Sequence, residues 1–515
     1  MEVRELASEF SFLTKSTWDV VTKLRTVSDH AVSFARVARP VGALISAAAD
    51  SHVPVQAEML KAIKELHEFL QEQFEALSTI VHNEGKNIEH FVVNEKYREA
   101  VTMSLYAIEP SYKNITDPLK QRYQYKEEFI AMCRNASASP FDVLLRMEQS
   151  LKDDCQLPSQ EQAENYAAIL ELFQKIEQRH HMLNLNDAIP MDKYKSIKSS
   201  ILAKSAREAL QEKLNTILNS ANSAEEVLQA LNKLNSDLHY YPCWLQAMAD
   251  GNEWKREPLF HFAQIVRLDL MKASLIALHC AYISNEDDEF AIDINFKDIQ
   301  VSLQETAAHV ADWVEKMLEI TWPTISRIHA KSAIGDSDIK QTKEAYQSVA
   351  KKIKQELVQL GEAKYDYAVI VFPNWTDPEA MELICEANSC LKLINIKQIN
   401  VIVVRIEDNE TNFELACKAN EWFTPTMESK MKEVINVWQD DKKPLSELAK
   451  ELKQMLKFYR NLVLIHNQKY FNSAATITLG VAPTLIVSAS AEQGFKHKID
   501  PTFADAAIFH VHMLL

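Results

Sequence analysis

Hydrophobic positions along most of this chain recur at the helical period. Met59, Ile63, Leu66, Leu70, Phe74, Leu77 and Val81 follow one another at steps of three or four residues. That spacing keeps an apolar stripe on one side of a long helix. Leu6, Phe10, Leu13, Trp18, Val21 and Leu24 mark an earlier helix within Glu5 to Val37. Further on, Ser159 with Gln162 and Ser223 with Glu226 have the spacing of capping boxes, in which each residue satisfies a free backbone N–H of the other. Asp117-Pro118 and Ser139-Pro140 place proline in a first turn. Leu202, Ala206, Leu210, Leu214 and Ile217 predict one continuous helix, and Arg256 to Ile283 is the most apolar helix of all. Two more follow. One runs through Trp313 and Met317 and is bent or ended near Pro323; the other carries Ile339, Tyr346, Val349, Ile353, Leu357 and Leu360 and is opened by Asp336 or Ser337. Isolated amphipathic helices bury nothing, so the pattern predicts a mainly α fold, an elongated multi-helix bundle over residues 1–360.

Past Leu360 the period changes. Tyr365 to Phe372 and Ile399 to Ile406 are short, β-branched and almost continuously apolar, as strands covered on both faces are. Asp377 to Leu393, with Thr376 and Glu379 at its start, reads as a helix between them, which predicts two parallel strands and a right-handed crossover. Helical segments are expected at Asn412–Phe423, Thr426–Trp438 and Pro444–His466. The uncharged run AATITLGVAPTLIVSASA reads as a pair of core strands, with a membrane-inserting hairpin as the alternative, and Ala506 to Leu515 as a last strand. Residues 361–515 are thus expected to form a smaller α/β domain with a short, partly parallel sheet.

Between the first two helices lies PVGALISAAADSHVPV, Pro40 to Val55. Val41, Leu44, Ile45, Val53 and Val55 are its candidate membrane or partner residues. The run is shorter than the roughly 20 apolar residues that span a bilayer. Arg36, Arg39, Asp50 and His52 also weaken it as an inserter, so length and charge favour core or interface packing over insertion. Arg267, Asp269 and Lys272 in the middle of the central apolar helix argue equally against a membrane span there.

Composition narrows the chemistry. Only 7 of the 515 residues are glycine, too few and too scattered for a dinucleotide loop, a P-loop or a nucleophile elbow. The net charge of -16, with acids and bases interspersed, offers no basic face for nucleic acid. Seven widely spaced cysteines show no zinc or disulfide-framework spacing, and MEVRELASEF shows no signal peptide, so reduced thiols and a cytoplasmic location are expected. Four N-x-S/T sequons, at Asn114, Asn135, Asn374 and Asn409, are about as many as chance supplies. His510 and His512 sit two apart on an expected strand without a completing ligand, and Cys385 and Cys390 read as buried thiols on the crossover helix. Glu286 to Glu289 match no calcium loop, and Trp254, Trp313, Trp322, Trp375, Trp422 and Trp438 read as core anchors. No catalytic residue, metal ligand or cofactor is nominated. Asn374, Trp375 and Asp408, at the ends of the two expected parallel strands, form the candidate ligand site.

The segments AVSFARVARPVGALISAAAD, LKAIKELHEFLQEQFEALSTIV, the central apolar helix, and YDYAVIVFPN followed by INVIVVRI resemble the rapunzel-like proteins over roughly residues 31–406. A small apolar segment between long helices is also similar to the arrangement in α-helical pore-forming toxins of the cytolysin A type. In those, a hydrophobic hairpin packed against a bundle is released into a membrane. The resemblance implies a non-enzymatic helical protein acting through protein partners or membranes; the charge pattern implies no nucleic-acid partner, and the oligomeric state is left open. An enzyme or ligand-binding protein using the strand-end site is the alternative.

Overall fold

The computed structural model describes residues 97, 100–101, 103–116, 123–135, 139–179, 191–204, 207–239, 241–284, 289–335, 339–340, 342–361, 365–373, 381–384, 389–407, 430, 433–434, 445–455, 461–467, 476–478, 484–490 and 508–514. The chain divides into two compact units, Met1–Leu318 and Glu319–Leu515. The first is helical among its described residues and the second joins helices to antiparallel sheets, so the expectation of a mainly α protein with a smaller α/β part holds.

In the helical unit, α1 (Met103–Thr116), α2 (Tyr123–Cys133) and α3 (Pro140–Glu148) precede a π-helical turn at Gln149–Asp153. Then come α4 (Gln160–Arg179), α5 (Met191–Leu202), α6 (Arg207–Ser220), α7 (Ala224–Asp237), α8 (Trp244–Gly251), α9 (Arg256–Ser284) and α10 (Glu289–Ile320). Local signals place many of the starts. Ser139 Oγ accepts from the Asp142 N–H at 3.2 Å, ahead of Pro140. Ser159 and Gln162 form the reciprocal capping box, Ser159 N–H donating to Gln162 Oε1 at 3.0 Å and Gln162 N–H to Ser159 Oγ at 3.2 Å. At α7, Ser223 Oγ accepts from the Glu226 N–H at 3.2 Å, but the Glu226 carboxylate reaches the Asn222 N–H instead, at 2.8 Å. Ser159→Ala is expected to cost about 1 kcal/mol, measurable as faster amide exchange in the first turn of α4.

The stripe from Leu202 to Ile217 is not one helix. It is divided between α5 and α6, with Lys204 turned inward at the break and its ammonium donating to the Asn235 carbonyl. The helix ends where this long-range contact forms, and periodicity does not carry it.

Two disulfides cross the unit, Cys133–Cys280 joining α2 to α9 and Cys155–Cys243 joining the chain after the π-helical turn to the residue that caps α8. Cys390 is disulfide-bonded as well. The expectation of reduced thiols is therefore corrected. Pairs 147 and 88 residues apart in sequence leave no spacing signature, because tertiary packing alone brings them together.

In the second unit, α11 (Thr324–Ile334) and α12 (Lys343–Val358) belong with the sheet, so the division falls after Leu318 rather than at Leu360. α12 starts later than expected, capped by Thr342, whose Oγ1 accepts from the Ala345 N–H at 3.3 Å. The strands are β1 (Tyr365–Pro373), β2 (Met381–Ile384), β3 (Cys390–Ile396) and β4 (Ile399–Glu407). After helix α13 (Leu445–Met455) come β5 (Asn461–Asn467), β6 (Thr476–Thr478), β7 (Thr484–Ser490) and β8 (Ile508–Leu514). They form two sheets, ordered β3-β4-β1-β6 and β2-β5-β8-β7.

The parallel crossover is overturned. β1 pairs with β4 antiparallel, from Tyr365 opposite Glu407 to Pro373 opposite Ile399, and every described pairing is antiparallel. Within Asp377–Leu393 the described residues are strand, in β2 and β3, rather than helix, and Cys390 is a half-buried strand residue. The alternation of buried Leu391 and Leu393 with exposed Lys392 and Ile394 has the strand period. A tight connection then returns the chain into β4, with positive φ at Asn395, Lys397 and Gln398 and the Asn400 side chain accepting from the Asn395 N–H at 2.9 Å. Residues 461–467, expected to continue a helix, form β5, which pairs with β2.

Tyr367, Val369 and Val371 of β1, Leu391 and Leu393 of β3, and Ile399, Val401 and Val403 of β4 pack with Tyr346, Val349, Ile353 and Leu357 of α12. Ala368, Ile370, Phe372, Ile402 and Val404 on the alternate positions are also buried. Burial of both sets matches the nearly continuous apolar runs.

Candidate functional site

Two features of the helical unit stand apart from its apolar packing. The first is a buried polar lock among α4, α5 and α8. Lys198 on α5 lies 3.1 Å from Glu177 of α4 and 2.9 Å from Glu253, just past α8. Its ammonium also lies 5.7 Å from the centre of the Phe173 ring. Tyr194, one turn before Lys198, donates to Glu177 at 3.0 Å. Burial pulls the Lys198 pKa down, but Glu253 and then Glu177 outweigh it and hold the lysine above its ordinary value. Burial first, and then the same carboxylates, push the Tyr194 phenol well up.

Beside this lock, Asp250 accepts from Gln246 Nε2 at 2.8 Å and Trp254 Nε1 at 2.6 Å, while its backbone carbonyl accepts from Tyr166 at 2.6 Å. Tyr166 and Trp254 stack with their centres 5.4 Å apart. Glu253 and Trp254 both have positive φ; the Trp254 indole is fully buried, while the Glu253 side chain reaches Lys198 with 32% of its surface exposed. These groups are mutually satisfied, and the arrangement orders helices rather than holding a reactive group ready.

The second feature is apolar and faces water. Met103 and Tyr106 on α1, Leu145 on α3 and Val301 on α10 are large apolar residues left exposed, Leu145 by 61%. Their helices adjoin. α1 packs against α3, Arg146 donates to the Ala100 carbonyl at 3.4 Å, and Ser302 donates to Glu148 at 2.9 Å. Ion pairs lie on the same or neighbouring elements. Lys272 pairs with Glu109 and lies 5.2 Å from the centre of the Tyr106 ring, and Lys152 pairs with Glu305. Large apolar side chains left in water are candidates for contact with a partner surface.

The central helix α9 carries its charges as the sequence places them, each in a different setting. Asp269 accepts from Tyr97 at 2.9 Å, and burial, then that carboxylate, raise the Tyr97 pKa well above its usual value. Lys272 is ion-paired. Arg267 is only 2% exposed, and among the described residues its Nε and Nη1 have no hydrogen-bond partner. Burial pulls its pKa down to about 10. Ser274, two turns further on, likewise has its buried hydroxyl without a partner among the described residues.

Val41, Leu44, Ile45, Val53 and Val55 lie outside the described residues, as do Asn374, Trp375 and Asp408. The argument for the second set rested on parallel strand ends, and the antiparallel pairing of β1 with β4 removes that argument. His510 and His512 fall on β8, opposite Ile465 and Val463 of β5 and Ser488 and Ile486 of β7. Among the described residues no three His, Cys, Asp or Glu side chains come close enough to hold a metal. A shallow depression of about 710 Å³ on α6, lined by Gln211, Glu212, Asn215, Thr216, Asn219 and Ser220, draws its whole lining from one helix. Among the described residues no helix is long and apolar enough to cross a membrane. Trp254, Trp313 and Trp322 are buried, as core anchors should be, while Trp422 and Trp438 lie outside the described residues.

Sequence reasoning missed the Lys198 lock and the exposed apolar group. A lysine one turn after a tyrosine carries no distinguishing pattern, and exposure of Leu145 depends on which face α3 buries. No protein-family model, no curated protein and no solved structure matches the chain.

Proposed function

We propose that this chain is a non-enzymatic helical protein that works by binding, to a protein partner or to a membrane. The observation that carries the reading is the exposure of four large apolar side chains, Met103, Tyr106, Leu145 and Val301, on three helices of the same unit. Leaving such side chains in water is unfavourable by about 25 cal/mol per Å² of apolar surface, and covering them on binding recovers that free energy.

In the membrane form of this proposal, Val41, Leu44, Ile45, Val53 and Val55 supply the inserting segment, in the manner of the α-helical pore-forming toxins that the arrangement resembles. The test is flotation of the full chain with liposomes at neutral and at acidic pH. Recovery with lipid that is abolished by Leu44→Asp or Ile45→Asp supports insertion through that segment. Loss with Leu145→Asp alone assigns the contact to the exposed group on the bundle. Absence of flotation in every lipid mixture defeats the membrane form and leaves the protein-partner form, which requires a specific partner whose binding Leu145→Asp abolishes. The expectation of a cytoplasmic location rested on the lack of a visible signal peptide or transmembrane helix together with reduced thiols, and the disulfides remove the thiol part of that support.

A further inference from the structure

We propose that Asn135 carries an N-linked glycan and that the chain matures in an oxidising secretory compartment. The sequon Asn135-Ala136-Ser137 has no weight as a sequence match, since four such triplets occur in the chain. Its place in the structure is what distinguishes it. Asn135 is exposed in the turn that follows α2, beyond the last helical residue, Cys133. Its backbone is held there. The Asn135 N–H donates to the Met132 carbonyl at 3.1 Å, and the Asn135 carbonyl accepts from the Ser139 N–H at 3.0 Å, immediately before α3. A bulky glycan leaving an exposed turn displaces no packed side chain, which is why acceptor asparagines sit on surface loops. Asn114, by contrast, is half-buried within α1, and Asn374 and Asn409 lie outside the described residues.

The second observation is independent of the sequon. Five of the seven cysteines, Cys133, Cys155, Cys243, Cys280 and Cys390, are disulfide-bonded. Disulfides of this structural kind form and persist in oxidising compartments and are rare in the cytosol. In eukaryotes the oxidising secretory lumen is also where sequons are glycosylated. Cys133, two residues before the acceptor, is one of the bonded cysteines, so the turn that presents Asn135 is itself anchored through Cys280 to α9.

The chemistry is a group transfer. The Asn135 side-chain amide nitrogen attacks the anomeric carbon of a lipid-linked oligosaccharide diphosphate. A carbon–nitrogen bond forms, the bond from that carbon to the diphosphate oxygen breaks, and the polyprenyl diphosphate leaves with the electron pair. The amide proton is lost to a base of the transferase, and nothing is oxidised or reduced.

The test uses the full chain produced from its own gene in cultured eukaryotic cells, with free thiols alkylated at lysis. Peptide:N-glycosidase treatment in heavy-oxygen water is expected to increase gel mobility and to convert residue 135 into labelled aspartate. Peptides linked through Cys133–Cys280 and Cys155–Cys243 are expected in the same digest. Asn135→Gln and Ser137→Ala should each remove the same mobility step, and Ser137→Thr should keep it. An unmodified asparagine at 135 in the recovered protein overturns the proposal, whatever the state of the cysteines. A mobility step that survives both Asn135→Gln and Ser137→Ala also overturns it. Ser137→Thr changes the same position as Ser137→Ala yet keeps the sequon, so a step kept with threonine and lost with alanine reports the glycan and not a change in folding.

Discussion

Lys198→Met is expected to lower the stability of the helical unit by about 1.5–3 kcal/mol, the usual range for hydrogen bonds to charged groups and below the cost of breaking a fully buried pair, because the three side chains keep 12%, 12% and 32% of their exposure. The reason lies in what remains. Glu177 and Glu253 approach the ammonium from α4 and from the end of α8, at 3.1 and 2.9 Å, and without it two carboxylates face each other with no cation between them. Hydrogen exchange across α5, in the full chain, should show the loss as a uniform fall in protection. Adding Glu177→Gln and Glu253→Gln to Lys198→Met should restore most of it, since neutral amides carry no comparable desolvation cost. An unchanged exchange profile for Lys198→Met would show that the triad contributes nothing.

The sign of the pH dependence follows from the same geometry. The folded-state pKa of Lys198 is raised, so its stabilising contribution is fully present below the unfolded lysine pKa of about 10.4. It is lost only as pH rises through the higher folded value. Across neutral pH this contribution is therefore flat.

The second large effect concerns the disulfides. Cys133–Cys280 and Cys155–Cys243 close loops between residues 147 and 88 apart. Cross-links of that kind restrict the unfolded chain and typically stabilise by about 2–4 kcal/mol each, with longer loops at the upper end in the entropic account. Replacing both cysteines of one pair by alanine avoids leaving a stray thiol. Each double variant is expected to lose about that amount in chemical denaturation, and the Cys133/Cys280 variant the more. Adding reductant to the natural chain should reproduce the combined loss. Equal midpoints with and without reductant would mean that the cross-links do not limit the unfolded state.

Much of the fold was legible in local pattern. The starts of α3, α4 and α7 follow from Ser139-Pro140, from Ser159 with Gln162 and from Ser223 with Glu226, because a helix start is decided by groups within four residues of each other. β1 and β4 were legible as strands because both of their faces are buried. Their relative direction was not, since a β-branched run looks the same read either way and direction depends on the connection between strands. That connection was misread. Cys385 and Cys390, Leu391 and Leu393 fit a helix on composition, and only the alternation of burial through Lys392 and Ile394 separates β3 from it.

The candidate sites proposed from sequence lie outside the described residues, and the two groupings that stand out within them were not visible beforehand. Lys198 meets Glu177 and Glu253 across 21 and 55 positions of sequence. Met103, Leu145 and Val301 come from three separate helices.

The sequence by itself determined the helical character of the described part of the first unit, the caps that start several of its helices, the two central strands of the first sheet and the charges that keep α9 from being a membrane span. Each of these depends on the period of apolar positions or on neighbours within one turn. Only the tertiary structure decided that the strands run antiparallel, that α11 and α12 belong with the sheet, that Cys133 meets Cys280 and Cys155 meets Cys243, and that Asn135 stands exposed on an anchored turn. The physical reason is common to all four. Each depends on which buried faces meet, and residues far apart in sequence are brought together by the packing of whole elements rather than by any signal they carry themselves.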